Sequence, residues 1–231
     1  MTVDDGPEHT FLFADLSGYT ALTEVHGDEQ AADLVEEFCR VVRELLATHD
    51  AHEVKTIGDA LMIRGEDAAR AVQLGTRIVR EVGAQHGFPM IRVGMHTGRA
   101  VQRNGDWFGA TVNLAARVSG IASGGEVLVT EKTRSLAGEV EGVAFREHGR
   151  QTLKNIVEPV RLFAAVTHGA RDSTGLPIDP VCRMAVSPEL SAGRLSHEGV
   201  EFHFCSLACA GMFAGEPERY AAVAPSEDAG T

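Results

Sequence analysis

The chain of 231 residues is poor in tyrosine and tryptophan, with two and one, and has four cysteines. It contains no apolar run long enough to span a bilayer, which excludes a membrane-spanning helix. Basic side chains are in deficit: Lys+Arg number 21 against 33 Asp+Glu, a net charge of -12. That field repels nucleic acid and anionic lipid, so neither is expected as a partner, and a polyanionic ligand needs a local site or a metal. Met1-Thr-Val-Asp-Asp5 has neither a basic n-region nor an apolar h-region, so no secretory signal is read and a cytoplasmic location is expected. Internal repeats are absent too. What is present is an ordinary globular composition, 44% hydrophobic and 23% charged, with length for one large domain or a medium and a small one.

The cysteines are unevenly placed. Cys39 stands alone early, whereas Cys182, Cys205 and Cys209 fall close to the C-terminus. In a reducing compartment such a cluster points to metal or redox chemistry rather than to disulfides.

Residues 10–16 form a short, nearly all-apolar run suited to a central strand. From Asp28 to about His49, Ala31, Leu34, Val35, Phe38, Val42 and Leu45 recur at helical spacing, with Asp28 as the expected N-cap. A hairpin is expected from Glu53–Ile57 and Ala60–Ile63 around Gly58-Asp59, then a helix over about 66–85. Ile91, Val93, Met95 and Thr97 alternate as in a half-buried strand, and a third helix follows over about 110–122. Shorter strands are expected at 126–129, 143–145 and 160–166. This order predicts an α+β sandwich, a largely antiparallel sheet with helices on one face. The small, polar run 168–176 reads as a linker, bounding domains at 8–167 and 177–222, and 223–231 reads as a disordered tail.

Several polar residues interrupt the apolar pattern of the first domain. Asp15 ends the first strand and Asp59 sits in the hairpin turn, two carboxylates that adjacent strand ends bring together. Either alone is as readily a turn residue; together they suit two hard cations, Mg²⁺ or Mn²⁺, beside phosphate oxygens. The turn Ser17-Gly18-Tyr19-Thr20 can present backbone N–H groups to a phosphate. Lys55 and Asp106, if they face one base, match the N1 acceptor and N6 amino group of adenine, whereas guanine presents the reverse pattern. Each is otherwise a solvated strand-end charge. Asn113 and Arg117 stand i, i+4 on one face of the third helix, and a guanidinium suits a phosphoryl transition state.

In order and spacing, Phe11-Leu-Phe-Ala-Asp-Leu-Ser-Gly-Tyr-Thr20, Val54-Lys-Thr-Ile-Gly-Asp59 and Asp106-Trp-Phe-Gly-Ala-Thr-Val-Asn-Leu-Ala-Ala-Arg117 resemble the catalytic domain of class III adenylate/guanylate cyclases. The resemblance covers about residues 10–166 and implies a ferredoxin-like nucleotidyl cyclase sandwich. It implies Asp15 and Asp59 as ligands of two Mg²⁺ or Mn²⁺, Lys55 and Asp106 as the adenine-selecting pair, Asn113 and Arg117 as transition-state residues, and Gly18 and Thr20 in the phosphate turn. Lys154 resembles the late lysine that contacts the triphosphate, with Asn155 where the family usually has glycine. A head-to-tail homodimer is also implied, with the aspartates from one protomer and the other four residues from its partner. ATP is the expected substrate and cyclic AMP the product.

Residues 177–222 are too few for a stable core without a staple. Cys205-Ser-Leu-Ala-Cys209 with Cys182 upstream offers thiolates for Zn²⁺ or Cu⁺. Asp179-Pro-Val-Cys-Arg-Met184, Gly199-Val-Glu-Phe-His-Phe-Cys-Ser206, Cys209, Phe213 and Pro217-Glu-Arg-Tyr220 resemble a YHS domain, a small module associated with metal binding. Arg183 stands where that family usually has glycine, and His203 can equally point away from the thiols. Metal or redox regulation of the cyclase through this unit is one expectation. The alternatives are a non-catalytic cyclase-fold module and a metal-binding protein whose first domain serves dimerisation.

Overall fold

The computed structural model describes residues 6–83, 85–167 and 176–222. The expected linker, except its last residue, and the expected tail at 223–231 lie outside the described residues. The chain runs through β1 (His9–Leu16), α1 (Tyr19–His26), α2 (Asp28–Leu46), β2 (Ala51–Ile57), β3 (Ala60–Gly65) and α3 (Ala68–Arg77). It continues through β4 (Ile91–Gly98), β5 (Val101–Arg103), β6 (Asp106–Phe108), α4 (Ala110–Ile121), β7 (Val127–Thr130), α5 (Glu131–Ala137), β8 (Val143–Gln151) and β9 (Val160–Thr167). The C-terminal unit adds β10 (Gly193–His197), β11 (Val200–Phe204), α6 (Leu207–Gly215) and α7 (Pro217–Ala221). No helix among the described residues is long and apolar enough to cross a membrane.

Seven strands form one sheet in the order β2-β3-β1-β4-β7-β9-β8, in which only the β4–β7 pair is parallel. The α+β class and mostly antiparallel sheet are as expected. Helices on one face alone are not. Leu12, Ala14 and Leu16 of β1 pack with Phe38 of α2, Val72 of α3 and Ala137 of α5, whereas Phe11 and Phe13 pack with Val112 and Ala115 of α4 on the opposite face. The nearly all-apolar β1 is buried on both sides, and α4 is the element that covers its second face.

Gly94 sets how closely α4 approaches. A Cβ there would lie 1.9 Å from the Ser119 backbone nitrogen, so the helix rests directly on the β4 backbone. Two short helices, α1 and α5, escaped the sequence pattern. The expected N-cap role of Asp28 is also corrected: Gly27 occupies the cap, and Asp28 opens α2, where its carboxylate meets the positive end of the helix dipole. The expected helix over 66–85 begins with Asp67 as N-cap, its side chain accepting from the Arg70 amide, and ends as a π-helical turn over Ile78–Val82.

The C-terminal unit is docked against the first domain. Val181, Cys182, Met184, Phe202, Phe204, Cys209 and Phe213 share one buried cluster with Leu22 of α1 and Ala31 of α2. Backbone hydrogen bonds join the two units: Gly87 N–H donates to Ala185 O at 2.9 Å and Ala185 N–H donates to Phe88 O at 2.8 Å.

Candidate functional site

Asp15 pairs in register with Ala60 of β3 and with Arg92 of β4, so the Gly58-Asp59 turn lies beside it. Burial, then the Asp15 charge, pushes the Asp59 carboxyl up to about 6. Arg92 donates to Asp15 Oδ2 through Nε at 2.7 Å and also through Nη2. A carboxyl pair whose full ionisation is resisted by burial and by its own like charge, even beside this guanidinium, is a hard-oxygen donor set short of positive charge, and it fits Mg²⁺ or Mn²⁺.

The predicted base-reading pair is brought together. Lys55 Nζ donates to Asp106 Oδ2 at 2.6 Å, and that ammonium holds the Asp106 carboxyl below the usual range. An irregularity between Glu53 and Lys55 of β2 sets Lys55 in register with Met62, and the β5–β6 turn at Asn104-Gly105 delivers Asp106. Beside the pair is a cavity of about 470 Å³, lined by Lys55 itself, by apolar Phe13, Met62, Trp107 and Val112, and by Asn113. Asn113 and Arg117 lie on the exposed face of α4, opposite buried Val112, Ala115 and Val118. Gly18 starts α1 with a left-handed φ of 85°, Thr20 lies in the first turn, and Ser17 N–H donates to Met90 O at 2.7 Å. Lys154 is exposed in the turn after β8.

In the C-terminal unit Cys182, Cys205 and Cys209 are free thiols with Sγ–Sγ distances of 3.3 Å (182–205) and 3.6 Å (205–209). Hydrogen bonds from Cys182 and then Cys205 favour the thiolate at Cys209, and the same sharing pushes the Cys182 thiol up. Asp179 is fully buried: Oδ1 accepts from Val181 N–H at 2.9 Å and Oδ2 from Cys205 N–H at 2.9 Å, so one carboxylate ties both cysteine loops. His203 is paired with Glu201 at 3.2 Å and is not in the thiol cluster. Cys39 is buried in the first core.

Residues 3–163 match the adenylate and guanylate cyclase catalytic domain. The chain belongs to that family. Residues 178–224 match the YHS domain, which therefore follows the cyclase domain directly. A pH-sensitive adenylate cyclase of Mycobacterium tuberculosis is 37% identical over 169 residues, which are 72% of this chain and 42% of that protein. An adenylate cyclase of Streptomyces griseus is 39% identical over 117 residues, 51% of this chain and 29% of that one. The chain thus spans less than half the length of these curated relatives. The crystal structure of the adenylyl cyclase CyaB from P. aeruginosa superposes with a TM-score of 0.61 at 25% identity, covering 72% of this chain and 96% of that one. The guanylyl cyclase Cya2 shares the fold, with a TM-score of 0.60 at 20% identity over 73% of this chain and 97% of its own.

Both departures from the families' glycines fall at left-handed positions, Asn155 at φ 64° and Arg183 at φ 67°. Asparagine adopts this region readily. Arginine does so less readily, and its side chain lies against Gly18, where a Cβ would meet Arg183 Cγ at 2.6 Å. Two residues beside the thiols have no site role in the sequence reading: Asp179, which appears there only as part of the Asp-Pro-Val-Cys string, and His26 of the cyclase domain, for which the sequence carried no signal.

Proposed function

We propose that the protein is an adenylate cyclase that converts ATP to 3',5'-cyclic AMP and pyrophosphate as a head-to-tail homodimer in the cytoplasm. The observation that carries this is the Lys55–Asp106 pair, 2.6 Å apart beside an apolar cavity. The Lys55 ammonium donates to adenine N1 and the Asp106 carboxylate accepts from the N6 amino group; guanine would face a donor with a donor. Asp15 and Asp59 would hold two Mg²⁺ or Mn²⁺ ions. Bound there, the ions supply polarisation of the triphosphate and acidification of the ribose 3'-hydroxyl. Asn113 orients the ribose for in-line attack on the α-phosphorus, and the Arg117 guanidinium stabilises charge on the phosphoryl oxygens. The turn Ser17–Thr20 and Lys154 bind the remaining phosphates.

Asn113 and Arg117 project from an exposed helix face, which suits a site completed by a second copy of the chain. Cys182, Cys205 and Cys209 would bind a Zn²⁺ or Cu⁺ ion as thiolates, and a reducing compartment keeps them from forming disulfides. The test supplies Mn²⁺ with ATP or GTP in parallel and measures cyclic nucleotide. Cyclic AMP from ATP, little product from GTP, and a loss of at least about 100-fold in Arg117→Ala are expected. Absence of cyclic AMP from the unmodified protein, or undiminished product from the variant, contradicts the proposal.

A further inference from the structure

The helix α1 belongs to the cyclase domain by sequence, yet both of its ends touch the YHS domain. At its N-terminus Gly18 lies under the Arg183 side chain, and in its middle Leu22 is fully buried in the shared apolar cluster. At its C-terminus, where Gly27 turns the chain with its amide donating to Thr23 O, the His26 ring points into the thiol cluster. His26 Nε2 lies 3.4 Å from Cys205 Sγ and 3.9 Å from Cys209 Sγ. With Cys182, these four ligand atoms all lie within 4.8 Å of one another.

Those separations can be compared with a metal's requirement. Tetrahedral Zn²⁺ with Zn–S near 2.3 Å and Zn–N near 2.05 Å sets S···S edges at about 3.8 Å and S···N edges at about 3.6 Å. The observed S···N separations of 3.4 and 3.9 Å bracket the second value, and the S···S separations of 3.3 and 3.6 Å fall within about 0.5 Å below the first. Three thiols and one imidazole form a closed structural donor set, with no position left for a reacting water. Buried Asp179, accepting amide hydrogens from both cysteine loops, supplies the outer support that orients such ligands.

We propose that His26 is the fourth ligand of a Cys₃His zinc site shared between the two domains, which fastens α1 of the cyclase domain to the YHS domain. The C-terminus of α1 is then held by the metal while its N-terminus opens at the phosphate turn. Ser17 N–H donates to Met90 O, and Met90 N–H in turn donates to Arg183 O at 3.4 Å, next to Cys182, so the turn and the metal site share one short path. Zinc therefore acts as a positioning device for the turn, without contact to substrate.

The site itself does not depend on the catalytic proposal, and its test uses structural readouts on the full chain. Zn²⁺ is titrated against a chromophoric chelator, and Co²⁺ serves as the spectroscopic probe. One Zn²⁺ per chain is expected, with thiolate-to-cobalt charge transfer from three sulfurs and the visible bands of a tetrahedral ion. His26→Ala should weaken Zn²⁺ binding by at least about 10- to 100-fold, the range already seen for outer-shell partners. His26→Cys should restore binding and strengthen the charge-transfer band by about one third, four thiolates replacing three. Hydrogen exchange over Tyr19–His26 should slow when Zn²⁺ is added to the unmodified chain and stay unchanged in His26→Ala. Equal affinity and spectra for His26→Ala and the unmodified chain would overturn the proposal. So would a Cu⁺-only site, a disulfide in place of metal, or α1 exchange indifferent to Zn²⁺. If the cyclase assay fails, these readouts still decide the site.

Discussion

Residues 6–167 build their own core, a sheet whose strand β1 is covered by α2, α3 and α5 on one face and by α4 on the other, whereas residues 176–222 bury Met184, Phe202, Phe204 and Phe213 only with Leu22 and Ala31 borrowed from the first domain. The larger unit has enough apolar surface to fold around itself. The smaller one needs a neighbouring surface and a staple of ligands. Function divides along the same line. In the cyclase domain polar groups sit at strand ends and on an open helix face, where a substrate can reach them; in the YHS domain three thiols converge inward. The helix α1 belongs to both regimes, which makes it the element through which one could influence the other.

The comparison can be broken most severely at Gly94. A Cβ there meets the α4 backbone rather than a flexible side chain, so Gly94→Ala should cost about 4 kcal/mol and displace Asn113 and Arg117 together. Thermal unfolding and cyclic AMP production should both fall. Normal activity with a normal melting curve would mean that α4 does not rest on β4.

Leu22→Ala removes a fully buried side chain from the shared cluster, at a cost of about 2–3 kcal/mol. The loss should concentrate in the YHS domain: hydrogen exchange should rise over 178–222 while the sheet stays protected. Uniform loosening of both units would show that they unfold as one body.

The smallest effect is electrostatic. Asp59 titrates at about 6, above its ordinary value of 3.8, so it favours the folded state at low pH, and that contribution is lost as pH rises through 6. Without divalent ions, Asp59→Asn should therefore raise Tm at pH 8 by about 2–4 °C, corresponding to about 1 kcal/mol for this half-exposed group, and by almost nothing near pH 4. Mn²⁺ should reverse the order at pH 8 by stabilising the unmodified chain alone. A variant less stable at pH 8 without metal would refute the strain that burial and then like-charge crowding with Asp15 place on the ionised Asp59.

How much was legible follows from the same physics. Motifs written in adjacent residues were readable: the apolar β1 with Asp15 at its end, the Gly58-Asp59 turn and the i, i+4 pair on α4 all lie where the pattern put them. The Lys55–Asp106 pairing spans 51 positions and came from matching the chemistry of one base, which the fold then brought to hydrogen-bond distance. The helix α1 was illegible because eight residues carry barely two turns of pattern, and its buried face answers to the YHS domain instead of its own sheet. His26 lies 179 positions from Cys205, and no local spacing rule reaches across a domain boundary. Strand β8 runs from Val143 to Gln151, well past the three residues its hydrophobicity marked, because exposed Arg146, Glu147 and Arg150 and a register shift at Gly149 break the alternation.

The central claim is that each active site draws on two copies of the chain, and mixing two inactive variants tests it most directly. In the proposed site Asp59→Ala removes a metal ligand and Arg117→Ala the guanidinium assigned to the transition state, so each alone should make almost no cyclic AMP from ATP and Mn²⁺. Refolded together in equal amounts, half the dimers pair one with the other and hold one intact site of two, which predicts about a quarter of the unmodified activity. A mixture as silent as its components, beside an active unmodified protein, would contradict the shared site.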